Sequence, residues 1–501
     1  MINQAELAVI LWDNTSQQTE GDCACAERDE SPVLLNASSS QWAEQDCACV
    51  GSPSPDMAFD LSTSQEETWQ IVPSLYRAAL PDSYELIFNP AGPTGIMVLN
   101  KTACIALDTY SHPHGLIDDT ARQLATLQLI APIRVPKLEI PKIQSTLTVW
   151  LHVTDACNLR CAYCYLDKTG EAMAEDTGHA AIDAVIRSAH VNGFRAIKLK
   201  YAGGEPTLNF SLVQALHHYT QRQAARAGLA LREVMLSNGV ALTPTMIDWL
   251  RAENVRLMIS LDGIGQAHDS QRAFIKGHGS FALVARGLDR ALARGLTPHL
   301  SITVTARNAD QLADAVAFAI ERDLPFNLNF FREKDCVAPA ANLAVDHARL
   351  IAGMKAAFAV IEANLPQRRL IDGLVDRSAF DAPHEHPCGV GRDYLVIDQR
   401  GQVARCQMDI KQPVTDVLAD DPLAAVRNHS QGFQNVSVGG KTGCAKCIWR
   451  FWCAGGCPLH TFRATGHSDV KSPYCNVYQA LYPDALRLEG LRLMRWKTPA
   501  D

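Results

Sequence analysis

The chain has little that would tie it to a membrane or to a polyanion. No apolar run approaches the ~18 residues of a spanning helix. The first residues, MINQAELAVILWDN, carry no basic region, and their apolar stretch is short and interrupted, so no secretion signal is expected. Positive charge is not in excess: 46 Lys and Arg face 54 Asp and Glu, a formal charge of −8. That excludes a grip on nucleic acid or anionic lipid through bulk charge. Cysteine is too sparse for a disulfide scaffold: 16 in 501 residues is about 3%, well below the ~8–10% of such proteins.

What is present is a chain that is 47% hydrophobic and 20% charged, enough to bury sizeable cores. Its length suggests about three domains. The cysteines cluster at short spacings, and in a reducing cytoplasm such clusters hold metal more often than they form disulfides. A soluble, cytoplasmic protein with metal chemistry is the expectation.

Residues 1–70 are expected to be poorly ordered: they are polar, contain SPSP at 52–55 and repeat Asp-Cys-Ala-Cys at 22–25 and 46–49. Residues 71–145 suggest a small α+β unit. In it SYELIFNP (83–90) and GIMVLN (95–100) flank an AGPTG turn as a hairpin, a helix follows near 117–130, and Cys104 is expected in the core. From about 146 to 364, strand-like runs alternate with helical stretches. They are LTVWLHVT (147–154), AIKLKYA (196–202), EVMLSN (233–238), VRLMISLD (255–262), HLSITVTA (299–306) and FNLNFF (326–331). Six such alternations predict an α/β fold with a parallel sheet, open or curled into a partial (β/α)6 barrel. Function in such sheets gathers beyond the C-terminal strand ends. Residues 365–501 are loop-rich in their cysteine-bearing part and are expected to need metal to fold.

The first barrel strand leads into TDACNLRCAYCY, with Cys157, Cys161 and Cys164 in a C-x3-C-x2-C loop. Thiolates this close converge on one soft metal centre. Three local ligands suit either an iron–sulfur cube with one open iron or a zinc site completed by a remote residue. Later strand ends carry Gly203-Gly204-Glu205-Pro206, Ser237-Asn238-Gly239 and Ser260-Leu261-Asp262-Gly263. Each alone would be a turn. Four motifs in order at successive strand ends, with Tyr163 before the third cysteine, resemble the radical S-adenosylmethionine (SAM) superfamily. The resemblance implies a [4Fe-4S] cluster on the three cysteines and SAM on its open iron. It also implies that the Gly203–Pro206 backbone and Glu205 hold the SAM amino group. Ser237, Asn238, Ser260 and Asp262 would lie near the ribose and methionine moieties, and Arg272 near the carboxylate.

Toward the C-terminus, Cys388 and Cys406 are followed by Cys444-x2-Cys447-x5-Cys453-x3-Cys457 and, after seventeen residues, by Cys475. A pair of zinc ribbons is one reading of the region. The pattern resembles the SPASM extension of radical SAM peptide and protein maturases. That resemblance implies two auxiliary [4Fe-4S] clusters, one on Cys444, Cys447, Cys453 and Cys475, the other on Cys388, Cys406 and Cys457. The second set has three ligands, leaving an open iron or a borrowed residue such as Cys336. His384, His386 and His460 lie near these cysteines in sequence.

The expected protein is therefore a radical SAM peptide or protein maturase, similar to anaerobic sulfatase-maturating enzymes and to maturases of ribosomally made peptides. Its partners would be a precursor peptide or protein and an electron donor such as flavodoxin or ferredoxin, with no nucleic acid and no membrane. The 71–145 unit loosely resembles leader-peptide recognition elements; a structural cap on the barrel is the other reading. Sulfatase maturases carry an Asp base directly after the second SPASM cysteine, whereas here Gln407 follows Cys406 and Asp409 comes two residues later. A non-catalytic iron–sulfur carrier is the reading from a different class.

Overall fold

The computed structural model describes residues 8–12, 68–92, 95–133, 145–332, 342–380 and 383–497. Both Asp-Cys-Ala-Cys repeats and Cys336 lie outside the described residues.

The N-terminal unit contains β1 (Ile10–Trp12), β2 (Trp69–Ile71), β3 (Tyr76–Ala79), β4 (Glu85–Phe88), β5 (Ile96–Leu99) and β6 (Ile130–Pro132). The expected hairpin is β4–β5, antiparallel with Phe88 opposite Ile96. The sheet order is β1-β5-β4-β3, while β2 pairs with β6. Helices Lys101–Thr109 and Asp119–Thr126 pack on it, capped by the Asn100 and Asp118 side chains. Cys104 is buried beside Met97 and Leu107. Two elements depart from the expectation for residues 1–70: Ile10–Trp12 pairs antiparallel with β5, and β2 begins at Trp69 and pairs with β6. The reason is apolar pairing, since Leu11 is buried against the main core.

The central sheet begins with β7 (Thr146–Thr154), and the short β8 (Leu159–Cys161) follows it. Then come β9 (Ala196–Gly203), β10 (Ala230–Ser237), β11 (Arg256–Ser260), β12 (Arg272–Phe274), β13 (His299–Val304) and β14 (Phe326–Phe330). Six of these, in the order β14-β13-β11-β10-β9-β7, are parallel neighbours. Helices such as Glu175–Val191, Phe210–Ala227 and Leu312–Glu321 connect and cover them. This is the expected partial barrel. Strand β9 is buried along all but its last residue, as a parallel strand covered on both faces must be.

The barrel edge at β7 does not remain open. Three strands from the C-terminal region, β15 (Tyr394–Ile397), β16 (Gln402–Ala404) and β17 (Thr415–Asp416), continue the sheet. Strand β15 lies parallel to β7, with Val396 opposite Trp150. The C-terminal region is thus built onto the barrel rather than tethered beside it. Helix His347–Ala363 packs between Leu312–Glu321 and the long helix Cys475–Lys497. An aromatic cluster joins the N-terminal unit to this region. Phe88 lies 4.6 Å from Trp452 between ring centroids, Tyr76 5.2 Å from Trp449, and the Trp452 indole donates to the Pro90 carbonyl at 2.7 Å. No helix among the described residues is long and apolar enough to cross a membrane.

Candidate functional site

At the C-terminal ends of the parallel strands lies a cavity of about 260 Å³. Cys157, Cys161 and Cys164 form one wall, with Tyr163 and Arg272 beside them. Gly203, Gly204, Ser237, Asn238 and Ser260 line it from successive strand ends. Arg377, Gln407 and Met408 reach it from the C-terminal region. Residues separated by 250 positions therefore share one chamber, which the fold brings together by placing β15 on β7.

The two glycines of the Gly203–Pro206 motif have a local cause. A Cβ on Gly203, at φ +125°, would meet the Thr154 carbonyl oxygen at 2.1 Å, and one on Gly204 the Ala156 oxygen at 2.1 Å. That close approach lets Gly204 N donate to Thr154 O at 2.7 Å and Glu205 N to Ala156 O at 2.8 Å. The glycines thus clamp the end of β9 onto the start of the cysteine loop.

Glu205 and Pro206 do not line the cavity. The Glu205 carboxylate is fully buried. It accepts from Ser237 Oγ at 2.8 Å, Thr207 Oγ1 at 2.6 Å, the Thr207 N–H at 3.2 Å and the Asn238 N–H at 2.7 Å. In this arrangement it fastens the Ser237–Gly239 turn to the end of β9 from behind. Asn238 does face the cavity, donating to Asn158 Oδ1 at 2.7 Å and lying 3.8 Å from Cys157 Sγ.

Asp262 is likewise withdrawn. Its Oδ2 accepts from the Tyr163 hydroxyl at 2.5 Å and its Oδ1 from the Thr303 N–H at 2.9 Å. Arg272 Nη1 also donates to the Tyr163 hydroxyl and stands 3.7 Å from Asp262 Oδ2. Arg272 is placed by a two-strand ladder in which it lies opposite Cys161. Burial pushes the Cys161 thiol up to about 11, and the Arg272 guanidinium opposes this. A cationic group beside Cys161 favours its thiolate, metal-binding form.

Polar residues from β13 and β14 form part of the wall without any motif to announce them. Ser301, Thr303, Asn327 and Asn329 line the cavity, and Asn329 donates to Ser301 Oγ at 3.1 Å. The alternation of Asn with apolar residues in FNLNF was the one available signal.

The seven C-terminal cysteines separate into two groups in space. Cys388, Cys406 and Cys457 are buried together among Val390, Tyr394 and Phe433. Burial pushes Cys406 up to about 12, with Cys457 and Cys388 adding to the rise. Cys444, Cys447, Cys453 and Cys475 line a second, smaller cavity with Trp449, Tyr478 and Tyr482. Four soft donors closing on one apolar cavity could hold a metal group completely, and three buried together could hold one with a position to spare. Of the three histidines, His384 is buried, His386 Nδ1 meets Arg392 at 2.6 Å, and His460 stacks on Tyr474 at 5.0 Å.

Residues 151–319 match the model of the Radical SAM superfamily. That stretch is thus similar to a radical SAM domain and contains the three-cysteine loop and the strand-end motifs. The chain is 26% identical over 330 residues to the mycofactocin maturase MftC of Mycobacterium ulcerans, covering 64% of this chain and 86% of that one. It is 23% identical over 405 residues to a serine-type anaerobic sulfatase-maturating enzyme of Bacteroides thetaiotaomicron, covering 69% and 91%. Of two other curated relatives it spans only 57% and 53% of the length. Among solved structures, native anSMEcpe with bound AdoMet and Cp18Cys peptide superposes with a TM-score of 0.57 at 17% identity, covering 69% of this chain and 99% of that one. The fold is thus shared with an AdoMet-binding protein.

Proposed function

We propose that the protein is a radical SAM maturase of a peptide or protein, with two auxiliary iron–sulfur clusters behind its active chamber. The observation that carries the reading is the chamber itself. Three thiols, the strand-end polar groups and Arg272 line one side, and Gln407, next to the buried Cys406, lines the other. The thiols are the ligands of a [4Fe-4S] cluster, and Ser237, Asn238, Ser260 and Arg272, which line the same cavity, would orient SAM beside it. When bound and reduced, this pair supplies a 5′-deoxyadenosyl radical, which takes hydrogen from an unactivated carbon. The chain's own part is to position the substrate and to exclude water. The division of seven C-terminal cysteines into sets of three and four supports two auxiliary clusters, which these residues would hold and which would supply electron transfer.

The maturase relatives that align over most of their length support a peptide or protein substrate. The sheet edge at β3 suits the 71–145 unit to adding an incoming peptide strand. An electron donor of the flavodoxin or ferredoxin type and a reducing cytoplasm complete the requirements. Sulfatase maturation is the second reading, favoured by the alignment over 405 residues. Against it, the position after Cys406 is Gln407, whose Oε1 accepts from the Tyr394 hydroxyl at 2.7 Å. Asp409 lies 3.7 Å from Arg405 and 3.8 Å from Arg463, held as an ion pair rather than poised as a base.

The test is anaerobic reconstitution with iron and sulfide, reduction, and addition of SAM. The expected product is 5′-deoxyadenosine; none would sink the proposal, and absence of SAM binding would revive the non-catalytic carrier. Mass spectrometry with a short peptide encoded beside the gene, against a Cys- or Ser-type sulfatase peptide, separates the two maturase readings.

A further inference from the structure

Lys441 is packed between the two groups of C-terminal cysteines, close to thiols of both. It is 1% exposed. Its ammonium donates to the Ala454 carbonyl at 3.1 Å, and no carboxylate pairs with it among the described residues. Cys444, Cys388, Cys453 and Cys457, two from each set, are near enough to act on its charge, and His386 also feels it.

The backbone is shaped around this side chain. Between Cys453 and Cys457, Ala454, Gly455 and Gly456 are all left-handed, at φ +43°, +79° and +70°. A Cβ on Gly455 would lie 2.5 Å from Lys441 Cδ and 2.8 Å from its Nζ. The Cys-Ala-Gly-Gly-Cys turn therefore closes over the lysine stem, and the glycine at its middle leaves room for it. At the other end, Cys444 N donates to the Lys441 carbonyl at 3.1 Å, so the lysine is fixed to the first cysteine of the four-thiol set.

A buried ammonium needs an opposite charge, and one carbonyl is a weak substitute. Neutral thiols do not supply that charge. Thiolates on a metal group do, because such a group with its cysteine ligands is anionic. We infer that Lys441 is a shared counter-charge of the two auxiliary clusters, favouring the reduced form of both and so tying their potentials together. The inference rests on the auxiliary-cluster reading above. Adding an electron makes an anionic cluster more negative, so a neighbouring cation raises its potential, and removing that cation lowers it.

The experiment uses the full-length chain reconstituted with iron and sulfide. Lys441→Met keeps the stem and removes the charge. Iron is counted, and each cluster is titrated against potential by electron paramagnetic resonance. The expected result is that both auxiliary couples move to lower potential. The shift is at least about tenfold in the oxidised-to-reduced ratio, ~59 mV for a one-electron couple. The cluster on Cys157, Cys161 and Cys164 stays where it was. If neither couple moves, or only one does, the inference is overturned. If Lys441→Met fails to retain auxiliary iron, Lys441→Arg decides: retention supports the need for charge, and loss in both variants overturns the inference, because a cation at this position would then not suffice. Wild-type protein that binds iron for a single cluster would sink the auxiliary-cluster reading itself, an outcome distinct from three clusters with unmoved potentials.

Discussion

The three-thiol loop and the four-thiol set are built from the same donor atoms and differ in everything around them. Cys157, Cys161 and Cys164 face a cavity of about 260 Å³ whose other walls are strand-end glycines and short polar side chains. Cys444, Cys447, Cys453 and Cys475 close on a small cavity walled by Trp449, Tyr478 and Tyr482. One arrangement leaves room for a second molecule beside a metal group; the other leaves none and surrounds its donors with aromatic rings. The difference separates a site with room for a second molecule from one whose donors are closed off.

The sharpest way to break the comparison is to remove one thiol from each. Cys161→Ala should lower 5′-deoxyadenosine formation by at least about three orders of magnitude, ~4 kcal/mol of barrier. Cys453→Ala should leave SAM cleavage within about tenfold of wild type, a difference of ~1.4 kcal/mol or less, and abolish peptide modification. Equal losses in a single-turnover assay would mean that the two sites share one task.

Iron removal sharpens the same contrast in folding terms. The barrel owes its stability to continuous apolar strands, with Leu147, Ile197, Ile259, Leu300 and Leu328 all buried. The stretch around 383–475 has short helices and few regular strands. Chelation should therefore strip hydrogen-exchange protection from the cysteine-bearing turns while β9 and β10 keep theirs. Uniform loss across both regions would show that the barrel also depends on metal.

The same division explains what the sequence could reveal. Barrel strands and their terminal motifs were legible because buried parallel strands leave apolar runs and close backbone approaches demand glycine. The pairing of β15 with β7 was not, since it joins residues some 245 apart and no local pattern encodes a partner. Nor was the orientation of Glu205 and Asp262. A motif names the residue, but whether its carboxylate faces a ligand or a neighbouring turn depends on donors such as Ser237 Oγ and the Tyr163 hydroxyl, which only the fold brings near. The inward Asn327 and Asn329 escaped notice because alternation looks alike whether the polar face meets water or an internal chamber.

That buttressing makes a smaller, separable effect. Glu205→Ala leaves the Ser237, Thr207 and Asn238 donors buried without their acceptor and should cost about 3 kcal/mol of stability. Glu205→Gln keeps one acceptor oxygen and should cost roughly half as much. Denaturant unfolding measures both. If Glu205 instead bound ligand directly, SAM affinity would fall with stability unchanged.

The smallest effect expected lies on the outer side of the barrel, away from every thiol. His217 is fully buried. Its Nδ1 meets Glu233 at 2.7 Å and its Nε2 meets Glu253 at 3.2 Å, while Tyr201 donates to Glu233 at 2.6 Å. Burial alone would lower the His217 pKa, but the hydrogen bonds and charges of Glu233 and Glu253 outweigh it and the net direction is upward. A group whose folded-state pKa exceeds its unfolded value stabilises the fold fully below the unfolded pKa, ~6.5 for histidine. That contribution is lost as pH rises through the raised folded value. Thermal unfolding of wild type against His217→Gln should therefore show a stability gap that is widest on the acid side of neutrality and narrows as the pH rises. A gap independent of pH would mean that the imidazole serves only to fill space between the two glutamates. A narrowing gap with unchanged SAM cleavage would confine the network to holding helix Phe210–Ala227 on the sheet.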